Sequence, residues 1–212
     1  MASHNRVISF LVMLATALGL VAAPAAHATP RAPIAQVTCE KPFSLGDERL
    51  GPRDLPPPSH VVGQLLIGYK RFGDEPNHQK FLKTYWSGEG WKYPENDGFA
   101  GEPTAVLLKP GEFVDRFGGQ SGRFLAPTGT PFAQRSIPPQ SLNTCEYEAG
   151  VRMPFGYYRY QVEKEFEVLG GPAAKWFGQS GGGTQYKVVS PNPPERRNVA
   201  WLVQNSYLSV VG

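Results

Sequence analysis

Tyr157-Tyr158-Arg159-Tyr160-Gln161-Val162-Glu163-Lys164-Glu165-Phe166-Glu167-Val168 carries an apolar or aromatic side chain at every second position from Tyr158 onward, with Lys164 the one exception. Successive strand side chains point to opposite faces, so a period of two reads as one long strand with a buried face. That reading makes the domain mainly β. Glu163, Glu165 and Glu167 occupy the opposite face, where a solvated surface is the ordinary use of alternating carboxylates and outweighs a catalytic pair.

Strands continue on both sides. Upstream, Ala105-Val106-Leu107-Leu108 reads as a buried strand, and Lys109-Pro110-Gly111-Glu112 turns the chain into Phe113-Val114-Asp115-Arg116-Phe117-Gly118. Downstream, Gly170-Gly171-Pro172 leads into Lys175-Trp176-Phe177-Gly178-Gln179-Ser180-Gly181-Gly182-Gly183-Thr184-Gln185-Tyr186. Here glycine backbone that a ligand can approach sits among aromatic rings and amides. A loose hairpin would use the same glycines. Gln185-Tyr186-Lys187-Val188-Val189 then reads as a strand, Pro191-Asn192-Pro193-Pro194-Glu195 as a linker, and Asn198 as the cap of a short helix bearing Val199, Leu202 and Val203.

The N-terminal half divides by composition. Residues 1–28 hold one basic residue, Arg6, an apolar stretch over 7–23, and Ala26-His27-Ala28 as a small-x-small cleavage site. This is the pattern of a secretory signal, which predicts a secreted or surface-located protein. Residues 29–58 are polar and end in Pro56-Pro57-Pro58, an extended strap. Residues 59–103 form a helical N-terminal subdomain: Val61, Leu65 and Leu66 mark one short helix, Phe81, Leu82 and Tyr85 a second. A loop follows whose Trp91, Tyr93 and Phe99 are expected to cover the core. His60 and His78 fall at helix ends or on the surface. Residues 104–212 are the β-rich remainder.

The only two cysteines, Cys39 and Cys145, lie beyond the signal. An exported protein meets oxidising conditions, so one disulfide is predicted, closing a loop of about 105 residues worth at most roughly 4–5 kcal/mol. The alternative, a reactive cysteine, lacks a supporting neighbouring motif. A net charge of +3, with no basic run longer than Arg196-Arg197, gives no footprint for nucleic acid or for an anionic membrane. No later segment has the length and apolarity of a membrane span.

Several motifs in one order carry a family resemblance. They are Asp115-Arg116-Phe117-Gly118; Gly122-Arg123-Phe124-Leu125-Ala126-Pro127-Thr128-Gly129-Thr130-Pro131-Phe132; Arg135-Ser136-Ile137-Pro138-Pro139; the Tyr-rich strand; and the segment from Trp176 to Tyr186. Together they resemble the TNT domain family, named for the tuberculosis necrotizing toxin, an NAD+ glycohydrolase. Gly46-Asp47-Glu48-Arg49-Leu50-Gly51-Pro52, Tyr69-Lys70-Arg71-Phe72-Gly73, Tyr85-Trp86, Tyr93-Pro94 and Gly98-Phe99 are more specifically similar to the secreted surface NADases of fungi. The resemblance implies an α+β, mainly β fold: a compact antiparallel sheet or sandwich with a small helical N-terminal part. It also implies cleavage of NAD+ to nicotinamide and ADP-ribose. NAD+ is then substrate, and no separate cofactor is implied.

Carried over by position, the family's functional residues fall on Arg116, Arg135 and Gln185 as the catalytic set. Phe117, Phe124, Arg123, Gln179, Gly182, Gly183 and Thr184 form the substrate-binding set. A histidine that the toxin branch uses near the Pro-Pro stretch has no counterpart, because no histidine follows His78. Calcium, a homodimer, an immunity protein and NADP+ as a second substrate are options that the resemblance leaves open. The tail beyond residue 190 has Glu195 as its only acidic side chain, so no metal site is placed there.

Elementary chemistry agrees with these positions. A pyrophosphate is matched by guanidinium forks, which donate to its oxygens in bidentate fashion and stay charged; Arg116, Arg135 and Arg123 are candidates. A pyridinium ring is attracted to aromatic faces, here Phe117 and Phe124. Nicotinamide leaves as a neutral molecule and needs no proton, so the demand for a general acid is low. An amide such as Gln185 can orient the ribose and a water. Each position also has an ordinary use: Arg116 as a surface partner of Asp115, Arg135 as a donor fixing a loop, the phenyl rings as core, Gln185 and Gln179 as bystanders. The rival enzymes are an ADP-ribosyl cyclase or transferase, which commonly place a glutamate beside the nicotinamide ribose, and the rival of another class is a non-catalytic binding module.

Overall fold

The alternating stretch is two strands. In the computed structural model, which describes residues 37–148, 151–190 and 196–211, Tyr157–Val162 and Phe166–Pro172 are separated by a corner at Glu163-Lys164-Glu165. The predicted signal and the predicted linker at 191–195 lie outside the described residues, as does the first part of the strap. Lys164 is the reason for the corner. An ammonium in the middle of a buried face is costly, so the chain turns there, and Lys164 Nζ donates to Asn205 O at 3.0 Å while lying over the Tyr207 ring.

Among the described residues, ten strands and three α-helices follow in chain order. They are β1 Thr38–Cys39, α1 Val61–Leu65, α2 His78–Tyr85, β2 Thr104–Leu108, β3 Phe113–Phe117, β4 Phe124–Pro127, β5 Cys145–Glu148, β6 Val151–Arg152, β7 Tyr157–Val162, β8 Phe166–Pro172, β9 Thr184–Val188, α3 Val199–Gln204 and β10 Leu208–Val211. Seven strands form one antiparallel sheet in the order β10-β7-β3-β4-β9-β8-β2, and β1, β5 and β6 form a small second sheet. Residues 36–212 make one compact unit.

The order forces curvature. Four strand spacings of about 4.8 Å separate β7 from β8 in a flat sheet, roughly 19 Å. The four residues from Val162 to Phe166 reach only about 14 Å. The sheet therefore curls until its two halves face one another. Tyr158, Tyr160 and Val162 of β7, Val114 of β3 and Leu208 of β10 share one buried cluster with Leu108 of β2, Phe166 and Val168 of β8, and Val188 of β9. Helix α3, capped by Asn198 Oδ1 accepting from Trp201 N at 2.8 Å, closes that cluster with Val199 and Leu202.

Strand β2 differs from expectation. It is an edge strand, and only Leu108 of its five residues is buried. A run of apolar residues alone cannot separate a central strand from an edge one. A second core joins α1 to the sheet through Val62, Leu65, Phe117, Phe132, Leu142 and Tyr157. A third, of Leu50, Phe81 and Phe177 ringed by Tyr85, Trp91 and Trp176, docks the 175–178 segment against α2. Helix α1 stops one residue short of Leu66, whereas α2 contains all of Phe81, Leu82 and Tyr85. His60 ends one of them as expected, its Nδ1 accepting from Val62 N at 3.1 Å, and His78 begins the other.

Cys39 and Cys145 are bonded, across the register that pairs β1 with β5. Closing a loop this long is worth up to about 4–5 kcal/mol, so replacing both cysteines by serine is expected to lower Tm by roughly 10 °C or more. Scanning calorimetry on the variant checks this, and a shift of less than about 3 °C would contradict it.

Candidate active site

The cleft exists because β3 and β4 part. They pair only at Val114 with Pro127 and Asp115 with Ala126. Beyond that point β3 stays with β7, while Phe124 and Leu125 of β4 pair with Lys187 and Tyr186 of β9. The gap is a cleft of about 460 Å³. Its walls include Arg116, Phe117, Arg123, Phe124, Arg135, Thr184 and Gln185, so seven of the ten non-cysteine positions named from the sequence meet there.

Arg116 spans the gap. Its Nη1 donates to Phe124 O at 2.8 Å and its Nε to Gly118 O at 3.1 Å, tying the parted strand ends together. Among the described residues no ion pair includes it. Burial holds the guanidinium below the usual arginine range, partly offset by Tyr160, Tyr147, Tyr158 and Tyr93. A cation desolvated without a carboxylate partner has a standing attraction for an anion. Gly122 makes room for it: a Cβ there would fall 2.1 Å from Nη2 and 2.5 Å from Cζ.

Asp115 and Phe117 point to the other face of β3. Asp115 is fully buried, and its Oδ1 lies 2.6 Å from Arg135 Nη1. Its Oδ2 accepts from the Tyr157 hydroxyl at 2.8 Å and from Gly129 N at 3.3 Å. Arg135 spends its other edge on Thr130 O, through Nε at 2.9 Å and Nη2 at 2.7 Å, and lies over the Phe117 ring. The pair thus fixes the 129–135 loop under the cleft. Burial, reinforced by the Asp115 charge, pushes the Tyr157 hydroxyl well above the usual phenol range. Sequence reasoning gave Asp115 only the ordinary use of a surface partner for Arg116, whereas its partner is the buried Arg135. The available indication was a charge between Phe113 and Phe117 on one strand face, which demands a buried partner.

Phe117 is 5 % exposed and packs edge-on against Phe132 and at a tilt against Tyr157, so it belongs to the core as much as to the cleft. Phe124, at 36 %, offers an open face. The second open aromatic is Tyr93, 62 % exposed and cleft-lining. Tyr93 was expected to cover the core, and its ring does pack edge-on against Phe177 of the third core; its place in the cleft as well was not written in local pattern. Arg123 is exposed and donates to Val188 O through Nη2 at 2.9 Å. Gln185 Nε2 donates to Asp97 O at 3.0 Å.

Gln179, Gly182 and Gly183 are not among the residues lining the cleft. Gln179 is buried, its Nε2 donating to Lys70 O at 2.7 Å. The glycine run packs on protein. Gly181 N donates to Ala133 O, Gly182 N to Ala173 O and Gly183 N to Gln134 O, and a Cβ on Gly183 would sit 2.8 Å from Gln134 Cβ and Thr130 Cγ2. These glycines seat β9 against the loop that carries Arg135. Trp176 likewise braces, its Nε1 donating to Lys92 O at 2.6 Å. Among the described residues no group of three or more His, Cys, Asp or Glu is placed to hold a metal ion, and none of the helices is long and apolar enough to cross a membrane.

Comparison with known proteins places the chain by family, by sequence and by fold. A family model described as tuberculosis necrotizing toxin matches residues 107–211. Over 175 residues the chain is 38 % identical to the conidial surface nicotinamide adenine dinucleotide glycohydrolase of Aspergillus fumigatus, spanning 78 % of this chain and 70 % of that protein. Among solved structures it is similar to the tuberculosis necrotizing toxin complexed with its immunity factor. The TM-score is 0.54 at 20 % identity, over 70 % of this chain and 81 % of that one, a likeness of fold.

Proposed function

The chain belongs to the tuberculosis necrotizing toxin family, and we propose that it is an NAD+ glycohydrolase, releasing nicotinamide and ADP-ribose. The observation that carries the site is Arg116: a half-buried guanidinium without a carboxylate partner among the described residues, in one cleft with the exposed ring of Phe124 and the amide of Gln185.

In this reading the pyrophosphate lies on Arg116, with Arg123 at the rim, since both retain donors for phosphate oxygens. Arg135 is committed to Asp115 and Thr130 and holds the floor. Phe124 and Tyr93 offer ring faces to the nicotinamide or the adenine. The C1–N bond breaks with its electron pair passing to the pyridinium nitrogen, which becomes neutral. The ribose is left as an oxocarbenium ion. Gln185 turns its nitrogen to Asp97 O, so its carbonyl oxygen is free to accept from a ribose hydroxyl or from the attacking water. Water adds to C1 and loses a proton, giving ADP-ribose.

Among the described residues the only carboxylate lining the cleft is Asp115, buried and paired, and no glutamate lines it. That favours water over a cyclase or transferase acceptor. Incubation with NAD+ is expected to yield nicotinamide and ADP-ribose in equal amounts. Cyclic ADP-ribose as the main product would replace the hydrolase reading. The relative's conidial surface name and the leader pattern at 1–28 support an extracellular or surface location. The calcium option gains no site among the described residues.

Two further results are expected. Gly122→Ala drives a methyl into the space of the Arg116 guanidinium and should lower kcat/KM by about tenfold or more while the fold survives; an unchanged kcat/KM would separate Arg116 from catalysis. The pH profile of kcat/KM should lack an acidic limb above about pH 5.5, because no histidine lines the cleft and the leaving group takes no proton. Burial lowers the Arg116 pKa, but a guanidinium still keeps its charge through the neutral range, so the profile should be level from about pH 5.5 to neutral and above. A bell with an acidic limb near pH 6 would contradict this.

A further inference from the structure

Three consecutive residues of the segment before β2 hold left-handed backbone: Asn96 at φ 52°, Asp97 at φ 51° and Gly98 at φ 80°. Two of them are not glycine, a conformation that persists only where surrounding contacts over-determine it, and such outliers cluster at functional sites. The contacts are present. Asn96 Nδ2 donates to Gly101 O at 2.8 Å, and Ala174 N donates to Gly98 O at 2.8 Å. Asp97 itself addresses two residues of β9. Its backbone oxygen accepts from Gln185 Nε2 at 3.0 Å, and its carboxylate pairs with Lys187 Nζ. Gln185 and Lys187 lie two apart on one strand and share a face. Asp97 bridges that face.

We infer that Asp97 is a positioning residue for the reaction, acting through Gln185. A carbonyl oxygen can only accept, so the amide must turn its nitrogen toward Asp97 and its oxygen away from it. The ion pair to Lys187, whose side chain is only 14 % exposed, pins the loop that supplies this carbonyl. Without the pin the amide is free to rotate and present its NH2 group, which cannot accept a proton from ribose or water. The loop lies before residue 107, outside the span that the family model matches, so the residues ahead of the matched region complete the site. This inference rests on the catalytic role proposed for Gln185.

Nicotinamide release by the full chain tests it with Asp97→Asn, which tolerates left-handed backbone, and with Lys187→Met. Each is expected to lower kcat about tenfold with KM within about twofold. The double variant should be no worse than either single one, because the two groups act as a unit. In a Gln185→Ala background, Asp97→Asn should cost nothing further. That last result distinguishes positioning from a general loss of structure, which would lower the residual rate again. If Gln185→Ala loses activity while Asp97→Asn and Lys187→Met both keep the wild-type kcat, the inference is overturned and the site reading stands. If Gln185→Ala keeps the wild-type kcat, the reading on which the inference rests is overturned instead.

Discussion

Arg116→Gln is expected to lower kcat/KM for NAD+ by about a hundredfold or more, equivalent to about 2.7 kcal/mol of lost transition-state binding. Arg116→Lys should do little better. The guanidinium reaches Gly118 O and Phe124 O from two different nitrogens while still facing the cleft, and a single ammonium cannot reproduce that fork. Inorganic pyrophosphate should inhibit the wild type in competition with NAD+ and lose that effect in the variant. Stability should fall moderately, by about 1–3 kcal/mol, for the two hydrogen bonds to carbonyls lost across the parted strand ends. A variant that keeps its kcat/KM, or that binds pyrophosphate like the wild type, would remove Arg116 from the site.

Asp115→Ala should be the most damaging substitution to the fold. It strips the counter-charge from Arg135, which is 8 % exposed, and removes the acceptor of the Tyr157 hydroxyl. Breaking one side of a buried pair costs about 3–5 kcal/mol, because the remaining charge stays desolvated. Urea unfolding should show that loss. Asp115→Leu combined with Arg135→Met should be less destabilised than Asp115→Ala alone, since no charge is left unpaired. A loss below about 1 kcal/mol for Asp115→Ala would mean that water reaches Arg135 and that the 129–135 loop is not held by the pair.

The parts of the molecule that local physics decides were legible. Tyr158, Tyr160 and Val162 alternate because one face of β7 is buried, and Asn198 caps α3 through the side chain its type supplies. The family motifs likewise brought Arg116, Phe124 and Gln185 to one cleft. What was not legible depends on partners distant in sequence. Lys164 looked like one polar residue in a strand, yet it marks the corner where the sheet folds over on itself. The glycines at 181–183 read as room for a ligand; the space at Gly181 is filled by the backbone of residues 173–174 and that at Gly183 by Gln134 and Thr130, while Gly182 is open but lies away from the cleft. Tyr93 and Asp97 sit in a loop without a periodic pattern, and only the tertiary fold lays that loop beside β9. Asp115 was visible as a residue but not as the anchor of a loop, because Arg135 is 20 positions away.

The central claim is that this cleft breaks the nicotinamide–ribose bond with Gln185 as the orienting amide. Nicotinamide released from NAD+ by the purified protein, measured beside an equally folded Gln185→Ala variant, tests it most directly. The prediction is release by the wild type, matched by ADP-ribose, and a rate at least about a hundredfold lower in the variant. Equal rates in the two proteins, or no nicotinamide from either, would contradict it.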